Sequence, residues 1–412
     1  MNLKDIYKAQ ERLKGVAHYT PLEKNVRFSM RYNASVYFKR EDLQPVRSYK
    51  IRGAYNTIAQ LENQEHEIVC ASAGNHAQGV AYSCALLKKK GCIFMPVTTP
   101  LQKVNQVRSF GGEFVDVKLE GDTFDDSYEA AKEYCNKLNA SFIHPFDDDQ
   151  VIAGQGTVGL EILEQIVNKI DLLILPVGGG GLAAGVSTVF KQMSPHTKII
   201  GVEPAGAPSM SRAMQSGKCT TLDSIDKFVD GAAVKRVGDR NFDLCKNQVD
   251  EMICVPEGRV CSKIIQLYNE EGMVVEPAGV LSIAALESLN HKELKGKTVV
   301  CVISGGNNDV LRMDEIRERA LMHEGLKHYF MIEFPQRPGT LKHFVTNVLG
   351  SEDDITYFQF AKKNQKETGP AVIGIEVNSS KNFKDFNQRL IMANLQYVYL
   401  NDNELLFSQL IG

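Results

Sequence analysis

Short apolar, β-branched runs alternate with amphipathic stretches along most of this chain. Between about residues 35 and 320, Ser35 to Lys39, Ile68 to Ala71, Gly91 to Val97, Glu113 to Val117, Leu172 to Val177, Lys198 to Val202 and Thr298 to Ile303 read as strands. Helical spacing falls between them at Asn75 to Lys90, Phe124 to Leu138, Glu161 to Lys169 and Val310 to Met322. Alternation at this interval predicts crossover units and a parallel, doubly wound α/β architecture. Ligands of such sheets lie beyond the carboxyl ends of the strands, so the loops after strands are where chemistry is expected.

Near residue 325 the pattern changes. Lys327 to Phe334 alternates as a strand, Pro338 to Leu349 reads as a helix, and Ile355 to Ala361 and Ala371 to Val377 read as further strands. A helix from Phe383 to Ala393 and a strand from Gln396 to Leu400 complete a β-α-β-β-α-β order, which predicts a small α+β ferredoxin-like unit. The expected domains are residues 1–322 and 323–412, with Gly325 and its polar neighbours marking the junction.

Three loops come after strand-like runs and carry the candidate chemistry. In the first, Gly178-Gly179-Gly180-Gly181 leads into Leu182 and a helix start. Residues without Cβ let backbone N–H groups converge, and the helix N-terminus adds partial positive charge, which suits a phosphate. In the second, Ser304-Gly305-Gly306-Asn307 offers hydroxyl and amide groups, and an anion competes there with a side-chain bond to a ring nitrogen. In the third, Ser72-Ala73-Gly74-Asn75-His76, amides at a helix start suit a carboxylate, and Asn75 could cap the helix or donate to a phenolic oxygen. His76 alone reads as structural.

Gly154-Gln155-Gly156-Thr157-Val158-Gly159 matches G-x-G-x-x-G but is preceded by Phe146-Asp147-Asp148-Asp149, which is no strand, and no carboxylate stands at residues 174–182. These glycines read as close helix packing rather than a dinucleotide site.

Composition narrows the partners. With 43% hydrophobic residues in 412, the chain can bury ordinary cores, and a net charge of -3 from 47 basic and 50 acidic residues gives no reason to expect nucleic acid or an acidic membrane. No run has signal-peptide or membrane-spanning character, so a cytoplasmic protein acting on small molecules is expected. Nine cysteines form no C-x-x-C pair and nine histidines lack ligand spacing. Buried thiols in a reducing compartment, and no metal site, are expected.

Among the lysines, Lys50 stands in Ser48-Tyr49-Lys50-Ile51-Arg52-Gly53-Ala54, among small and aromatic residues just before a helical pattern. A Schiff-base lysine needs its free-amine form near neutral pH, and burial or a neighbouring cation such as Arg52 would lower its pKa.

Taken together, Lys39-Arg40-Glu41-Asp42-Leu43-Gln44, Ser48 to Ala54, Ser72 to Gly79, Gly178 to Leu182 and Ser304 to Asn307 resemble fold type II pyridoxal-phosphate enzymes, specifically the serine/threonine dehydratases. The tail, with Phe334-Pro335-Gln336-Arg337-Pro338-Gly339-Thr340-Leu341, resembles the ACT-like regulatory domain of biosynthetic members, in the form carrying one module. The resemblance implies that Lys50 anchors pyridoxal 5'-phosphate and takes the substrate Cα proton. Asn75 would bond the ring hydroxyl, Gly178, Gly179, Gly180, Gly181 and Leu182 would cradle the phosphate, and Ser304 would meet the pyridine nitrogen. Ser72, Gly74, Asn75 and neighbouring amides would hold the substrate. The implied reaction turns threonine into 2-oxobutanoate and ammonia, with serine giving pyruvate. Isoleucine and valine are the implied effectors, and a homotetramer the implied assembly; a ligand-free dimerisation module is the competing reading of the tail.

Racemases of the same family place a serine where this chain has Ala73, and a second acid–base group is what a two-base mechanism needs. Their divalent-metal loop is kept here at Glu203 but has Ser209 near the second acidic position.

Overall fold

In the computed structural model, residues 1–61, 66–360 and 367–411 are described. They form two compact units, Met1–Val310 and Leu311–Gly412. The first carries β1 (Leu22–Lys24), β2 (Ser35–Arg40), β3 (Ile68–Ala71), β4 (Gly91–Met95), β5 (Val115–Leu119), β6 (Ser141–Phe142), β7 (Leu172–Pro176), β8 (Lys198–Pro204), β9 (Glu251–Val255) and β10 (Thr298–Ile303).

These strands make two sheets. One runs β1-β2-β10-β7-β8-β9, parallel apart from the antiparallel β1, and the other runs β5-β4-β3-β6, all parallel. Central strands are buried along their whole length, as all five residues of β7 and all four of β3 show. That burial is why they appear in the sequence as unbroken apolar runs rather than alternating ones. Strand β9 escapes the sequence pattern because its residues are mostly half-buried or exposed, Glu251 to Cys254 included.

One helix differs from expectation. The segment read as Glu161 to Lys169 is helical only to Gln165, where it ends a longer helix, Asp149–Gln165, that contains Gly154, Gly156 and Gly159. Glycine lowers helix propensity by about 1 kcal/mol per residue, which hid the first half of this helix, but packing overrides it. A Cβ at Gly154 would stand 2.5 Å from the Arg52 carbonyl oxygen, and one at Gly156 would stand 3.1 Å from that of Gly185. The glycine motif therefore serves close helix contact. It lets helix Asp149–Gln165 lie against helices Lys50–Ile58 and Gly181–Met193, and so sets where Lys50 stands.

The second unit holds β11 (Lys327–Pro335), β12 (Asp354–Phe360), β13 (Thr368–Glu376) and β14 (Gln396–Tyr399) in an antiparallel sheet ordered β12-β13-β11-β14. Helices Thr340–Asn347 and Ser380–Met392 complete the β-α-β-β-α-β order, and a further helix lies at Glu404–Leu410. Phe330, Ile332, Phe334, Phe344, Ile373 and Phe386 form its core. Ala361, read as the end of a strand, lies outside the described residues.

The division between the units falls after Val310 rather than after residue 322. Helix Met313–His323 goes with the second unit because Glu318 accepts from Lys327 and Tyr329, and Arg317 donates to Glu376 at 2.8 Å. No helix among the described residues is long and apolar enough to cross a membrane.

Candidate active site

The carboxyl ends of β3, β7 and β10 carry the three loops singled out in the sequence, and the third and second meet directly. Lys50 is the first residue of helix Lys50–Ile58, whose backbone approaches Gly79 so closely that a Cβ there would stand 3.2 Å from the Lys50 carbonyl oxygen. The amine donates to the Pro145 carbonyl at 2.7 Å and stands 5.5 Å from the centre of the Tyr49 ring. Burial pushes its pKa down to about 8, against the opposing pull of the Glu276 carboxylate.

Arg52 is not what lowers it. Its guanidinium is spent on Glu41, at 2.8 Å through both Nε and Nη2, and on Glu161, at 2.6 and 2.9 Å. Lys39 joins Glu161 at 2.6 Å, so this group of buried charges is internally paired.

Asn75 opens helix Asn75–Leu87 but does not cap it; the cap position is Gly74. Its Nδ2 instead donates to Glu276 Oε1 at 2.6 Å, and its Oδ1 accepts from Asn307 Nδ2 at 2.7 Å. Gly74 N–H donates to Ser72 Oγ at 3.2 Å, leaving both at the mouth of the same loop. His76 is buried, pairs with the Ile143 carbonyl at 3.0 Å and has its pKa pushed down to about 3 by burial and the Lys50 charge, which makes it structural.

The glycine loop is packed tightly from behind. A Cβ at Gly179 would fall onto the Phe146 ring, one at Gly178 would meet Ala232 at 2.9 Å, and Gly180 adopts φ +94°. Asn241 Nδ2 holds the outer side by donating to the carbonyls of Gly179 (2.8 Å) and Phe146 (3.0 Å). The N–H groups from Gly178 to Ala183 have no protein acceptor among the described residues, so a cluster of donors is left at the start of helix Gly181–Met193. Ser304 is buried, with Oγ 3.3 Å from the Ala278 carbonyl, and its own carbonyl accepts from Tyr49 N–H, one residue from Lys50.

Comparison with known proteins gives this arrangement its relatives. Residues 13–305 match the pyridoxal-phosphate dependent enzyme family, and residues 318–410 match the C-terminal regulatory domain of threonine dehydratase. Over 413 residues, 100% of this chain and 99% of the other, it is 54% identical to L-threonine dehydratase biosynthetic IlvA of Halalkalibacterium halodurans. The chain belongs to the biosynthetic threonine dehydratase family of pyridoxal-phosphate enzymes.

Among solved structures, this threonine dehydratase family member is similar to the processed form of threonine deaminase isoform 2 from Solanum lycopersicum. The TM-score is 0.74 at 40% identity, covering 78% of this chain and 88% of that one. It is also similar to serine racemase from Dictyostelium discoideum, with a TM-score of 0.69 at 32% identity over 75% and 99% of the chains. Fold alone therefore does not separate elimination from racemisation, and site residues must.

The site suits the family's cofactor. A half-buried amine with depressed pKa, an unused cluster of amide donors and a buried hydroxyl are the groups an aldehyde, a phosphate and a ring nitrogen require. Glu203, the acidic residue kept from the racemases' metal loop, is buried. Its carboxylate is taken up by the N–H groups of Met210 (2.6 Å) and Ser211 (2.8 Å) and by Ser211 Oγ (2.7 Å), which ties the start of helix Ser209–Ser216.

Sequence reading missed Glu276, Asn307's link to Asn75, and Asn241. A lone carboxylate in Val274-Val275-Glu276-Pro277-Ala278-Gly279 was a usable signal for the first. Asn241 lies among polar residues that look like any solvated helix start, and nothing local marks it.

In the second unit, Phe334 to Leu341 with Phe358 and Phe360 line a cavity of about 160 Å³. Both polar atoms of the Gln336 side chain are buried and have no partner among the described residues.

Proposed function

We propose that this chain deaminates L-threonine to 2-oxobutanoate and ammonia, the water lost from the β-carbon being taken up again on hydrolysis, with serine to pyruvate as a side activity, as the first step of isoleucine biosynthesis. The observation that carries the reading is the half-buried Lys50 amine, held on the Pro145 carbonyl and within one residue of the contact from Tyr49 to Ser304. Bound pyridoxal phosphate supplies an electron sink that acidifies the Cα–H of an attached amino acid.

Lys50 would tether the cofactor and, as the free amine, would take the Cα proton at Nζ. A pKa near 8 leaves a useful fraction of free amine at neutral pH. The amides of Gly178, Gly179, Gly180, Gly181 and Leu182 hold the phosphate, Asn75 the ring hydroxyl and Ser304 the ring nitrogen. Ser72, Gly74 and Asn75 receive the substrate carboxylate. Ala73 has no group able to carry a proton, so Lys50 works without an opposing base, which favours elimination over racemisation.

For the tail we propose an amino-acid effector site, with isoleucine inhibiting and valine opposing it. The apolar walls from Phe334, Phe358 and Phe360 suit a branched side chain, and the Gln336 amide is left to pair with a polar backbone group. A cytoplasmic homotetramer is the assembly proposed. Keto-acid formation from threonine, with and without isoleucine, tests both parts. Absence of 2-oxobutanoate overturns the activity, and an unchanged saturation curve with no calorimetric heat on adding isoleucine or valine overturns the regulation.

A further inference from the structure

One buried carboxylate beside Lys50 has no role in the reaction as described. Glu276 lies in the turn between helices Glu257–Glu271 and Leu281–Ala284 and is 5% exposed. It accepts from Asn75 Nδ2 at 2.6 Å and from the Asn307 backbone N–H. Gly305 leaves the room it needs, since a Cβ there would overlap Oε1.

On its other side the Asn75 amide accepts from Asn307 Nδ2, which is also within 2.9 Å of the Val46 carbonyl and of Gln78 Oε1. The two ends of an amide differ only in which donates and which accepts. An ionised carboxylate can only accept, so it compels the nitrogen of Asn75 to face Glu276, and the Asn307 donor compels the oxygen to face the other way. The second N–H of Asn75 then has one direction open to it.

We propose that Glu276 is a positioning residue: by holding one N–H of Asn75 it presents the other, in a fixed orientation, to the ring hydroxyl of the cofactor. The inference rests on the placement of the cofactor proposed above. It also gives the site a charge that changes close to neutrality. Burial and the neighbouring Asp230 push the Glu276 carboxyl up to about 7, against the Asn75 and Asn307 N–H groups and Lys103. Lys103 is itself paired with Asp230 at 2.6 Å, and Lys50 and the Tyr49 hydroxyl also sense the Glu276 charge.

The experiment uses holoenzyme. The visible absorbance of the bound cofactor is titrated from about pH 5.5 to about 9, and cofactor affinity is measured by dialysis, for the unaltered chain, Glu276→Gln and Glu276→Ala. The unaltered chain is expected to show a spectral step near neutral pH. Glu276→Gln keeps an acceptor for Asn75 and should hold affinity within about threefold while losing the step. Glu276→Ala should weaken cofactor binding by about tenfold to a hundredfold, the range for a hydrogen bond to a charged group.

A step that persists unchanged in Glu276→Gln, or Glu276→Ala affinity within about twofold of the unaltered chain, overturns the proposal. Should Glu276→Ala not fold, Glu276→Gln still decides through the spectral step, which a merely structural carboxylate would not produce. If the unaltered chain acquires no visible absorbance and borohydride attaches nothing to Lys50, the placement of the cofactor itself is wrong and both readings fall.

Discussion

Lys50, half-buried, and Arg52, fully buried, are two residues apart on one helix, and the fold treats them in opposite ways. Arg52 is 1% exposed and meets two carboxylates, Glu41 and Glu161, so its pKa is held up although burial opposes it. Lys50 meets a single neutral carbonyl at 2.7 Å and, among the described residues, no carboxylate within hydrogen-bonding reach, so burial prevails and its pKa falls to about 8. The same kind of environment thus makes one cation a fixed structural charge and the other a reactive amine. The difference lies in the partners supplied by distant segments more than in depth.

The contrast can be broken from either side. Lys50→Ala should cost the largest effect, about four orders of magnitude or more in keto-acid formation from threonine, because tether and proton acceptor vanish together. Without cofactor, its thermal midpoint should stay close to that of the unaltered cofactor-free chain, since no ion pair is lost. Near-normal turnover would end the assignment. Arg52→Met should do the reverse and act on stability, by leaving Glu41 and Glu161 buried with an unmatched charge. A loss of about 3–5 kcal/mol is expected in denaturant unfolding. An unchanged midpoint would mean that the buried charges relax or take up protons without consequence.

The smallest effect sharpens the comparison. In cofactor-free protein, the rate at which Lys50 captures pyridoxal phosphate should rise with pH and reach half its plateau near pH 8, because only the free amine reacts and burial disfavours the charged form. An ordinary lysine would still be climbing at about pH 10. The sign for stability agrees: the folded chain binds fewer protons than the unfolded one between pH 8 and the ordinary lysine value, so the cost of burying a charged Lys50 is relieved as pH rises through that window. A midpoint of reaction at about pH 10 would show that the amine is solvated.

Much of this site could be read from the sequence because its parts are loops directly after buried strands. Leu172–Pro176 and Ile68–Ala71 are apolar throughout, and the loop after each is unlike ordinary surface sequence, four glycines in one case and Ser72-Ala73-Gly74-Asn75 in the other. Glu276 and Asn241 escaped because their role is relational. Glu276 lies 201 positions from Asn75, and its importance appears only when the ends of the two sheets meet. Helix Asp149–Gln165 was half hidden for a related reason, since its glycines are costly locally and favourable only against Arg52 and Gly185.

By itself the sequence determined the alternation of strands and helices, the small antiparallel unit at the end and the loops able to face a ligand. These are short-range properties, set by side-chain periodicity and by the backbone freedom of glycine. The tertiary structure decided which of two neighbouring cations is neutralised, which amide is oriented and which carboxylate is left beside the reactive amine. Burial removes water as the universal partner, and the remaining partners come from segments that adjoin only in the folded chain.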